Sequence, residues 1–509
     1  MSSFLSRHQF CATITVAFML GVIASPLAGE EVTQPSTSSR YELRRSNLPA
    51  FPGAEGGGSR TSGGRGGKVL LVTNLDDAGP GSLRAAIETP GPRFVVFRVA
   101  GIIALKTPLA ISHPFITIAG QSAPGDGICI RGETTEINTH DVVIRYLRLR
   151  RGNLKRRDDG LGGNPAGNII IDHVSASWGL DENLSLYRHM AKSLTGGPDD
   201  KLAVENLTIQ WCISSEALDL NNHAFGGTWG GRNCSFHHNL FACNTGRNPS
   251  IGMGGGFDFR NNVIFNWRHR TMDGGDGSSR VNVVNNYYKP GPATPPGGIR
   301  FRICKAQARN SRDRFPGFGQ WFVDGNFVDG YPAITANNWA GGVQYDEATK
   351  QKDEIVPAGS EADVRSRTAF SFEPIRTESA VEAFESVLAF GGTSHPRRDA
   401  VDARVMEIVR TGKPTFEEGI LVTPADVGGW PEYTAGQIPA DSDNDGLPDD
   451  WERANQLNPN NAADATLDAD RDGYVNIEEF LNGTNPREFV DYANPENNRN
   501  PYHAPQARK

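Results

Sequence analysis

Short apolar runs recur along this chain from Phe51 onward, and most are near-continuous rather than strictly alternating with polar residues. Runs of this length, bounded by turn residues, are typical of buried β-strands. The clearest are VVFRV, ITIAG, VVIRYLRL, IIIDHVSA, LTIQWCIS, CSFHHNLF, FDFRNNVIF, VNVVNNYY and WFVDGNFV. Their corresponding residues are Arg98, Ala119, Arg145, Asp172, Gln210, His237, Arg260, Val284 and Asp324, in steps of 21, 26, 27, 38, 27, 23, 24 and 40.

A strand unit that repeats at this interval predicts a solenoid, in which each repeat buries its apolar side on the next. We interpret the two long steps as coils that carry loop insertions, which lie on one face and often bind ligands. Asparagines recur just after strand starts, at Asn239, 261–262, 285–286 and Asn326, and amides stacked at a turn would form an internal ladder. A β-sandwich also has short, regularly spaced strands, but a period longer than that of a hairpin favours the solenoid.

The pattern changes after Gly341. The sequences AVEAFESVLAFGG and DARVMEIVRTGK have apolar residues at helical spacing, and each ends at a glycine, which predicts two helices within residues 345–412. These helices would pack on the solenoid or cap it. Residues 29–49 and 413–440 are rich in polar residues, Pro and Gly, and are predicted to be linkers.

Composition narrows the class of protein. Glycine accounts for 58 of 509 residues, which favours strands and tight turns over long helices. The mean hydropathy of −0.44 excludes a membrane protein, and the net charge of −8 argues against a nucleic-acid partner. The stretch from Arg145 to Arg157 is nevertheless strongly basic. A basic face suits a polyanionic substrate, although such a run could also be simply solvated.

The N-terminus resembles a secretory signal peptide. Arg7 precedes an apolar run from Phe10 to Ala24, and small residues follow. The run is too short for a comfortable membrane span, so the mature form is predicted to have none and to be secreted, whether extracellular or periplasmic. Cleavage near Ala28 would remove residues 1–28 and leave five widely spaced cysteines, which do not form a disulfide scaffold. Cys234 and Cys243 could pair or could be buried as small apolar residues.

Two stretches of twelve residues, DSDNDGLPDDWE and DADRDGYVNIEE, match a calcium-binding loop. Hard oxygen ligands alternate along each loop, a glycine stands at the sixth position, and a glutamate that can bind bidentately closes it. The predicted ligands are Asp441, Asp443, Asp445, Asp449 and Glu452 in the first loop, and Asp468, Asp470, Asp472, Asn476 and Glu479 in the second.

These repeats resemble EF-hand, dockerin-like or thrombospondin type 3-like calcium modules. The flanking helix-like segments are short, so residues 441–484 are predicted to form a compact calcium-folded module, with 485–509 as a tail. An acidic disordered tail is the alternative. Such a module could serve stability, cohesin-like docking or attachment to a cell surface.

Two segments about sixty residues apart carry the candidate chemistry. NIIIDHVSASWGLDENLSL, from Asn168 to Leu186, is a strand that runs into adjacent acids, and SFHHNLFACNTGRNP, from Ser235 to Pro249, ends in an arginine followed by Asn-Pro. Together with the Asp-Asp-Gly at 158–160, they resemble the core motifs of pectate lyases of polysaccharide lyase family 1. The resemblance covers roughly residues 50–340.

The resemblance implies an all-β fold, a right-handed parallel β-helix over residues 50–344, with the small C-terminal calcium-binding module added to it. It also implies cleavage of α-1,4-polygalacturonate in pectin by calcium-assisted β-elimination. That reaction removes the proton from C5 of a uronate and expels the oxygen at C4. A base must therefore reach C5, and the charge that grows on the carboxylate must be neutralised.

The resemblance implies that acids after two consecutive strands hold Ca²⁺ in the cleft. Neighbouring coils lie about 4.8 Å apart, so carboxylates carried just past those strands can converge on one cation. The same short sequences also make ordinary turns. The candidates are Asp158, Asp159, Asp181 and Glu182, with Glu216 less certain.

Arg247 matches the family's R-x-P arginine, and the resemblance implies that it is the catalytic base. An arginine is ordinarily charged and a poor base, so it needs neighbouring cations, and from the residues alone it could equally be a turn arginine paired with an acid. Many relatives carry a second arginine five residues on, where this chain has Gly252. Binding of the substrate carboxylate would then fall to Arg260, Arg268 or Arg270, with His173 of the Ile-Asp-His strand as a further candidate.

Other functions fit the same residues. If the protein is instead a glycoside hydrolase such as a polygalacturonase, its acid and base would come from Asp172, Asp181 and Glu182. A lyase on another uronate or on methylated pectin would keep the elimination and change the substrate. A non-catalytic β-helix that binds polysaccharide at a surface would keep its function without Arg247.

Overall fold

The computed structural model describes residues 43–503 except 194, 195 and 352. The described residues belong to one compact unit. The predicted signal peptide, with Cys11, lies outside them. Within the described part of the chain, no helix is long and apolar enough to cross a membrane.

Two long parallel sheets form the body of the molecule. Sheet 1 has ten strands, which are Lys68–Val72, Arg93–Phe97, Ile116–Ala119, His140–Arg145, Gly167–Asp172, Glu205–Gln210, Arg232–His237, Gly256–Arg260, Arg280–Val284 and Gln320–Asp324. Sheet 2 has nine, which are Gly101–Ala104, Ile128–Arg131, Arg148–Arg150, Ser175–Ser177, Ile213–Ser215, Leu240–Ala242, Val263–Phe265, Tyr287–Lys289 and Phe327–Val328.

A third face closes each coil. It consists of a three-stranded and a five-stranded sheet, joined through residues 184–186 by the single bridges Leu161–Leu184 and Leu186–Trp229. We call this face sheet 3; its strands are Leu109–Ile111, Thr135–Ile137, Leu161–Gly163, Thr228–Trp229, Ser250–Ile251, Met272–Gly274, Cys304–Ala306 and Val343–Tyr345. The chain is therefore a parallel β-helix, as predicted, and the parallel pairing excludes the sandwich.

The predicted register between coils is confirmed with one exception. Ala119 pairs with Arg145, Arg145 with Asp172 and Asp172 with Gln210, and the series continues through His237, Arg260, Val284 and Asp324. The exception is the first position, because Val96 and not Arg98 pairs with Ala119. Arg98 lies beyond the end of its strand, where its guanidinium bonds Asp441 at 2.5 Å.

Both long steps carry insertions, as predicted. The step from Asp172 to Gln210 contains the antiparallel pair Arg188–Ala191 and Asp200–Ala203. The step from Val284 to Asp324 contains a long excursion around Cys304–Ala306. A second antiparallel pair, Thr349–Gln351 with Glu354–Val356, follows the last coil.

The asparagine ladder is confirmed. At the turn between sheets 1 and 2, Asn239 donates its amide to Asn262 at 2.9 Å, Asn262 to Asn286 at 3.0 Å, and Asn286 to Asn326 at 2.8 Å. Each amide oxygen also accepts the backbone N–H of the asparagine on the preceding coil. The ladder ends on Asn338. It therefore satisfies backbone groups that are buried inside the turn.

The two predicted helices are Ala380–Phe390 and Ala400–Thr411. Their apolar faces pack on the outer side of sheet 2, where Val387 and Val405 join a cluster with Leu240 and Phe265. The other α-helices are Leu83–Glu88, Pro332–Ala336, Glu361–Val364, Asp449–Ala454 and Asn476–Asn482, and the 3-10 helices are Gly120–Ser122, Asp219–Asn221, Pro424–Val427, Asp464–Thr466 and Pro501–His503.

The acidic C-terminal region packs on the outer side of the first strands of sheet 1. Leu447, Ile477 and Leu481 join a cluster with Phe94 and Val96. The segment before it also lies on the β-helix, because Trp430 donates its indole N–H to the carbonyl of Arg150. The free cysteines Cys129, Cys212, Cys234, Cys243 and Cys304 are all buried, so the alternative of burial holds for Cys234 and Cys243.

We expect Asn286→Ala to lower the free energy of unfolding by about 3 kcal/mol, since it leaves buried partners of Asn286 unsatisfied at about 1–3 kcal/mol each. Those partners are the N–H and amide of Asn262, the carbonyl of Phe259 and the amide oxygen of Asn326. Urea unfolding measures the change. The exposed Asn460→Ala is the control, and an equal midpoint for both variants would contradict the ladder's role.

Candidate functional site

Arg247 lies where the chain enters sheet 3. On neighbouring coils, Gly246 pairs with Phe225, and Phe225 pairs with Glu182. The Arg247 guanidinium forms an ion pair with Glu182 and lies 4.5 Å from the centre of the Phe225 ring. Its side chain remains 29% exposed, so it can reach a ligand in the cleft above sheet 3.

Four carboxylates lie on earlier coils: Asp181 and Glu182 two coils before Arg247, and Asp158 and Asp159 three coils before it. The backbone N–H of Glu182 donates to Asp159 at 3.1 Å, and the backbone carbonyl of Asp158 accepts from Asp181 at 3.2 Å. Asp159 is half-buried. Burial raises the pKa of Asp159 well above its usual range, and the charges of Glu182 and Asp181 raise it further.

Basic side chains oppose these acids. His223 lies 2.5 Å and Arg157 3.3 Å from the Asp181 carboxylate, while Arg156 lies 3.1 Å from Asp158. Thr228 donates its hydroxyl to Glu182 at 2.6 Å. The cleft is therefore a mixed cluster in which half-buried and buried negative charge is balanced by partly exposed cations.

The donor set suits a hard cation, because it offers carboxylate oxygens on adjacent coils and includes an acid whose ionised form is disfavoured by burial and like charge. The carboxylates of the cleft are more widely spaced than those of the C-terminal repeats. In the part of the chain that the structure describes, groups of three acids with ligand atoms within 4.8 Å occur only in those repeats.

More cations rim the cleft. The Arg270 guanidinium lies 4.9 Å from the same Phe225 ring and pairs with Asp273 at 2.9 Å. The inserted hairpin supplies Arg188 and Lys201, which lie 5.0 and 5.5 Å from the ring of Tyr187. Several positive charges thus face the cleft beside the acids, an arrangement that can bind a polyanion.

Gly252 has no room for a side chain. A Cβ built there would lie 2.4 Å from both the Tyr187 ring and the Thr228 methyl group. Tyr187 therefore fills the space that an arginine would need at that position. The second cation over Phe225 comes instead from Arg270, on the next coil.

Two residues predicted to bind substrate lie elsewhere, and the first is His173. His173 is fully buried; its ring lies between Tyr146 and Trp211 and bonds Asp172 and His503. It belongs to an aromatic ladder between sheets 1 and 2 and does not reach the cleft.

The second is Arg260, which ends a strand of sheet 1 and bonds Asp258 at 2.7 Å, beside the segment around Phe370. Arg268 pairs with Asp219 at 3.0 Å. Glu216 is held by two bonds from Arg404, at 2.6 and 2.8 Å. Of the predicted arginines, the structure therefore brings Arg270 to Arg247 through their shared aromatic ring.

Phe225, His223, Tyr187 and Thr228 were not predicted. No motif marks them, and the short strand FGGTWGG reads as a glycine-rich turn. The register between coils was the only signal that could have identified Phe225, which lies one coil beyond Glu182. To use that signal, one must first know where the insertion between the two coils begins and ends.

Acids of the C-terminal repeats lie in compact groups. Ligand atoms of Asp441, Asp443 and Asp445, and those of Asp468, Asp470 and Asp472, lie within 4.8 Å of one another. Many of their buried oxygens lack a hydrogen-bond partner, which indicates an oxygen-binding cation as the missing partner. These are both oxygens of Asp443 and of Glu452, and one oxygen each of Asp445, Asp470, Asn476 and Glu479.

Burial and like charge perturb these acids. Burial, followed by the charges of Asp445 and Asp443, raises the pKa of Glu452 to about 8. Burial likewise raises the pKa of Asp445 to about 7 and that of Glu479 to about 8. Asp449 differs: hydrogen bonds from Ser442 and Arg453 lower its pKa and occupy its carboxylate. Both carboxylate oxygens of Asp449 therefore already have hydrogen-bond partners.

No model of a known protein family matches this sequence. Individual relatives do. A probable pectate lyase C of Aspergillus flavus is 34% identical over 465 residues, which cover 87% of this chain and 96% of the relative. A probable pectate lyase C of Aspergillus terreus is 31% identical over 458 residues, with the same two coverages.

Solved structures overlap less fully. A pectate lyase from Bacillus sp. N165 in complex with trigalacturonate has 15% identity and a TM-score of 0.42, and covers 66% of this chain and 98% of its own. Jun a 1, the major allergen from cedar pollen, has 16% identity and a TM-score of 0.44, with coverages of 67% and 92%. The fold assignment rests on the strand register itself. Identity above 30% along nearly the whole length of the fungal relatives shows that this chain belongs to the pectate lyase family and is a polysaccharide lyase.

Proposed function

We propose that this lyase is secreted and cleaves α-1,4-polygalacturonate by calcium-assisted β-elimination, with Arg247 as the base. The observation that carries the proposal is the contact of Arg247 with Glu182 over the Phe225 ring, near the half-buried Asp159. This contact places the partly exposed Arg247 between the acidic side chains and the basic side chains of the cleft.

In this proposal, Asp158, Asp159, Asp181 and Glu182 hold Ca²⁺ in the cleft. Bound Ca²⁺ would neutralise the negative charge that grows on the uronate carboxylate. Their oxygens are ligands of the hard type that this ion prefers.

Arg247 would accept the C5 proton. Its position supports that role, because the guanidinium is partly exposed and lies on the Phe225 ring beside Arg270. Glu182 and Phe225 would orient the guanidinium. Arg270, with Arg188 and Lys201 across the cleft, would bind substrate carboxylates through charge-assisted hydrogen bonds.

Replacing the proposed base gives the first test. We expect Arg247→Ala to lower kcat on polygalacturonate by about 100- to 10 000-fold, the usual share of a general base. The ultraviolet absorbance of the unsaturated product measures it, with Ca²⁺ and with chelator. The exposed Arg410→Ala on helix Ala400–Thr411 is the control.

Either of two results would count against this assignment. Arg247→Ala with the activity of the wild type would exclude Arg247 as the base. Reducing ends that form without absorbance would replace elimination by hydrolysis. Turnover only on methylated pectin or another uronate would keep the reaction and change the substrate.

Arg270 has a different expected effect. We expect Arg270→Gln to raise KM for polygalacturonate about tenfold and to change kcat much less, since it removes a charge that binds a substrate carboxylate away from the reacting bond. Steady-state kinetics measures both constants. A fall in kcat at unchanged KM would contradict a binding role for Arg270.

We further propose that the C-terminal repeats bind Ca²⁺ and act as a clamp on the β-helix. Contacts on both sides support this role. The first ligand of the first loop, Asp441, pairs with Arg98, and Glu478 in the second loop pairs with Arg65 at 2.9 Å. The carbonyl of Leu481 accepts from Gln121 at 3.1 Å. The apolar face of the repeats is already buried on sheet 1, which favours stability over docking to a partner.

The raised pKa values predict a pH dependence without calcium. The pKa of Glu452 in the folded state is about 8, above the value near 4.5 of an exposed glutamate, so its protonated form favours folding. The stability that it contributes is therefore complete at low pH and is lost as the pH rises through about 8. In chelator, we expect the melting temperature to fall by roughly 2–5 °C between pH 7 and 9.

Titration of the buried histidines does not contribute to the change in melting temperature between pH 7 and 9. The buried His395 and His503 have lowered pKa values, so they are neutral in both states above pH 7. Saturating Ca²⁺ should abolish the fall, and Glu452→Gln should reduce it in chelator. An identical slope for Glu452→Gln and wild type would show that these acids do not set the pH dependence.

Secretion rests on the N-terminal pattern of a basic residue, an apolar run and small residues. Expression of the full chain with sequencing of the N-terminus of the exported product tests it.

A further inference from the structure

Asp464 lies between the two calcium loops and belongs to neither twelve-residue match. We propose that Asp464 is a ligand of the calcium in the first loop, in the place left by Asp449, and that it links the two loops into one coupled pair of sites. The proposal rests on the proposed calcium binding by the repeats.

The geometry brings Asp464 to the closing glutamate of the first loop. Asp445, Glu452 and Asp464 each offer a ligand atom, and these atoms lie within 4.8 Å of one another. The three residues are 5%, 0% and 5% exposed, respectively. They therefore converge in an interior space rather than on a solvated acidic surface.

Unpartnered oxygens point to a ligand at this place. Both carboxylate oxygens of Glu452, Oδ2 of Asp445 and Oδ1 of Asp464 are buried without a hydrogen-bond partner. Buried carboxylate oxygens are normally satisfied, and three such side chains together repel one another. A divalent cation with oxygen ligands removes both costs.

The carboxylate of Asp449 forms hydrogen bonds within its own loop. Its Oδ1 accepts the backbone N–H of Ser442 at 2.8 Å, and its Oδ2 accepts the hydroxyl of Ser442 at 2.9 Å and Arg453 at 3.0 Å. Asp449 thus fixes the entry of the loop. Because Ca²⁺ takes about six to eight oxygens, a carboxylate from outside the loop fits the ninth position that Asp449 leaves.

The remaining atoms of Asp464 connect the loops. Its Oδ2 accepts the backbone N–H of Asn458 at 3.0 Å, and its backbone carbonyl accepts the amide of Asn476 at 2.8 Å. Asn476 stands at the ninth position of the second loop, and its own amide oxygen is unpartnered. Ordering Asp464 in the first site therefore also orders Asn476 for the second.

The test is calorimetric titration of the calcium-free full chain with CaCl₂. We expect Asp464→Asn to weaken one site at least tenfold and to weaken a second site as well, since the two are linked. Asn keeps an oxygen for the Asn458 N–H, so the local turn is retained. The matched control is Asp450→Asn, whose side chain is 99% exposed, and it should bind as wild type does.

Asp449→Asn separates the two assignments. We expect it to lower the melting temperature in chelator, through the lost loop contacts, with calcium affinity changed less than about threefold. Asp464→Glu keeps the charge and should recover part of the affinity lost in Asp464→Asn.

Two outcomes would overturn the proposal. Wild-type affinities in Asp464→Asn would exclude Asp464 as a ligand, and loss of a site in Asp449→Asn with an unchanged melting temperature in chelator would return that role to Asp449. If neither Asp443→Asn nor Asp470→Asn weakens any calcium site that the wild type has, the proposed calcium binding of the repeats fails, and this inference fails with it.

Discussion

The stacking of one coil on the next sets the positions of the side chains that form the cleft. Backbone hydrogen bonds between parallel strands hold the coils about 4.8 Å apart in a fixed register. Because a slip of one residue would turn the apolar side chains to the other face, the buried runs in sheet 1 lock the register over the whole length. The asparagine ladder adds a second lock at the turn, where it pairs buried backbone groups that no strand can reach.

The cleft follows from that stacking. Asp159, Glu182 and Arg247 are far apart in sequence, yet Asp159 and Glu182 lie on adjacent coils, and Phe225 occupies the coil between Glu182 and Arg247. The β-helix therefore makes side chains that are distant in sequence neighbours in a column across the coils. It also brings like charges together, which is unfavourable unless cations lie nearby. Here the arginines and His223 supply that compensation, and the same cations give the cleft its attraction for a polyanion.

The C-terminal repeats reuse the solenoid as a support. Their apolar residues cover the outer side of the first strands, where the calcium loops contact the β-helix through Arg98 and Arg65. The two loops are in turn joined through Asp464 and Asn476. The packing of the repeats and the end of the solenoid thus form one connected structure.

The sequence alone was enough for whatever depends on local pattern. The recurring apolar runs determined the strands and seven of the register pairs, because one buried face admits one alignment. The spacing of acids and glycine predicted where acids cluster in the two C-terminal repeats, since such a loop is a local structure. The motif around Arg247 marked the coil that carries it. Only the tertiary structure decided which side chains share a space: that Phe225 joins Arg247 to Arg270, that His173 and Arg260 face away from the cleft, and that Asp464 lies beside Asp445 and Glu452. Those contacts join residues brought together by the coiling of the backbone, and no short-range pattern encodes them.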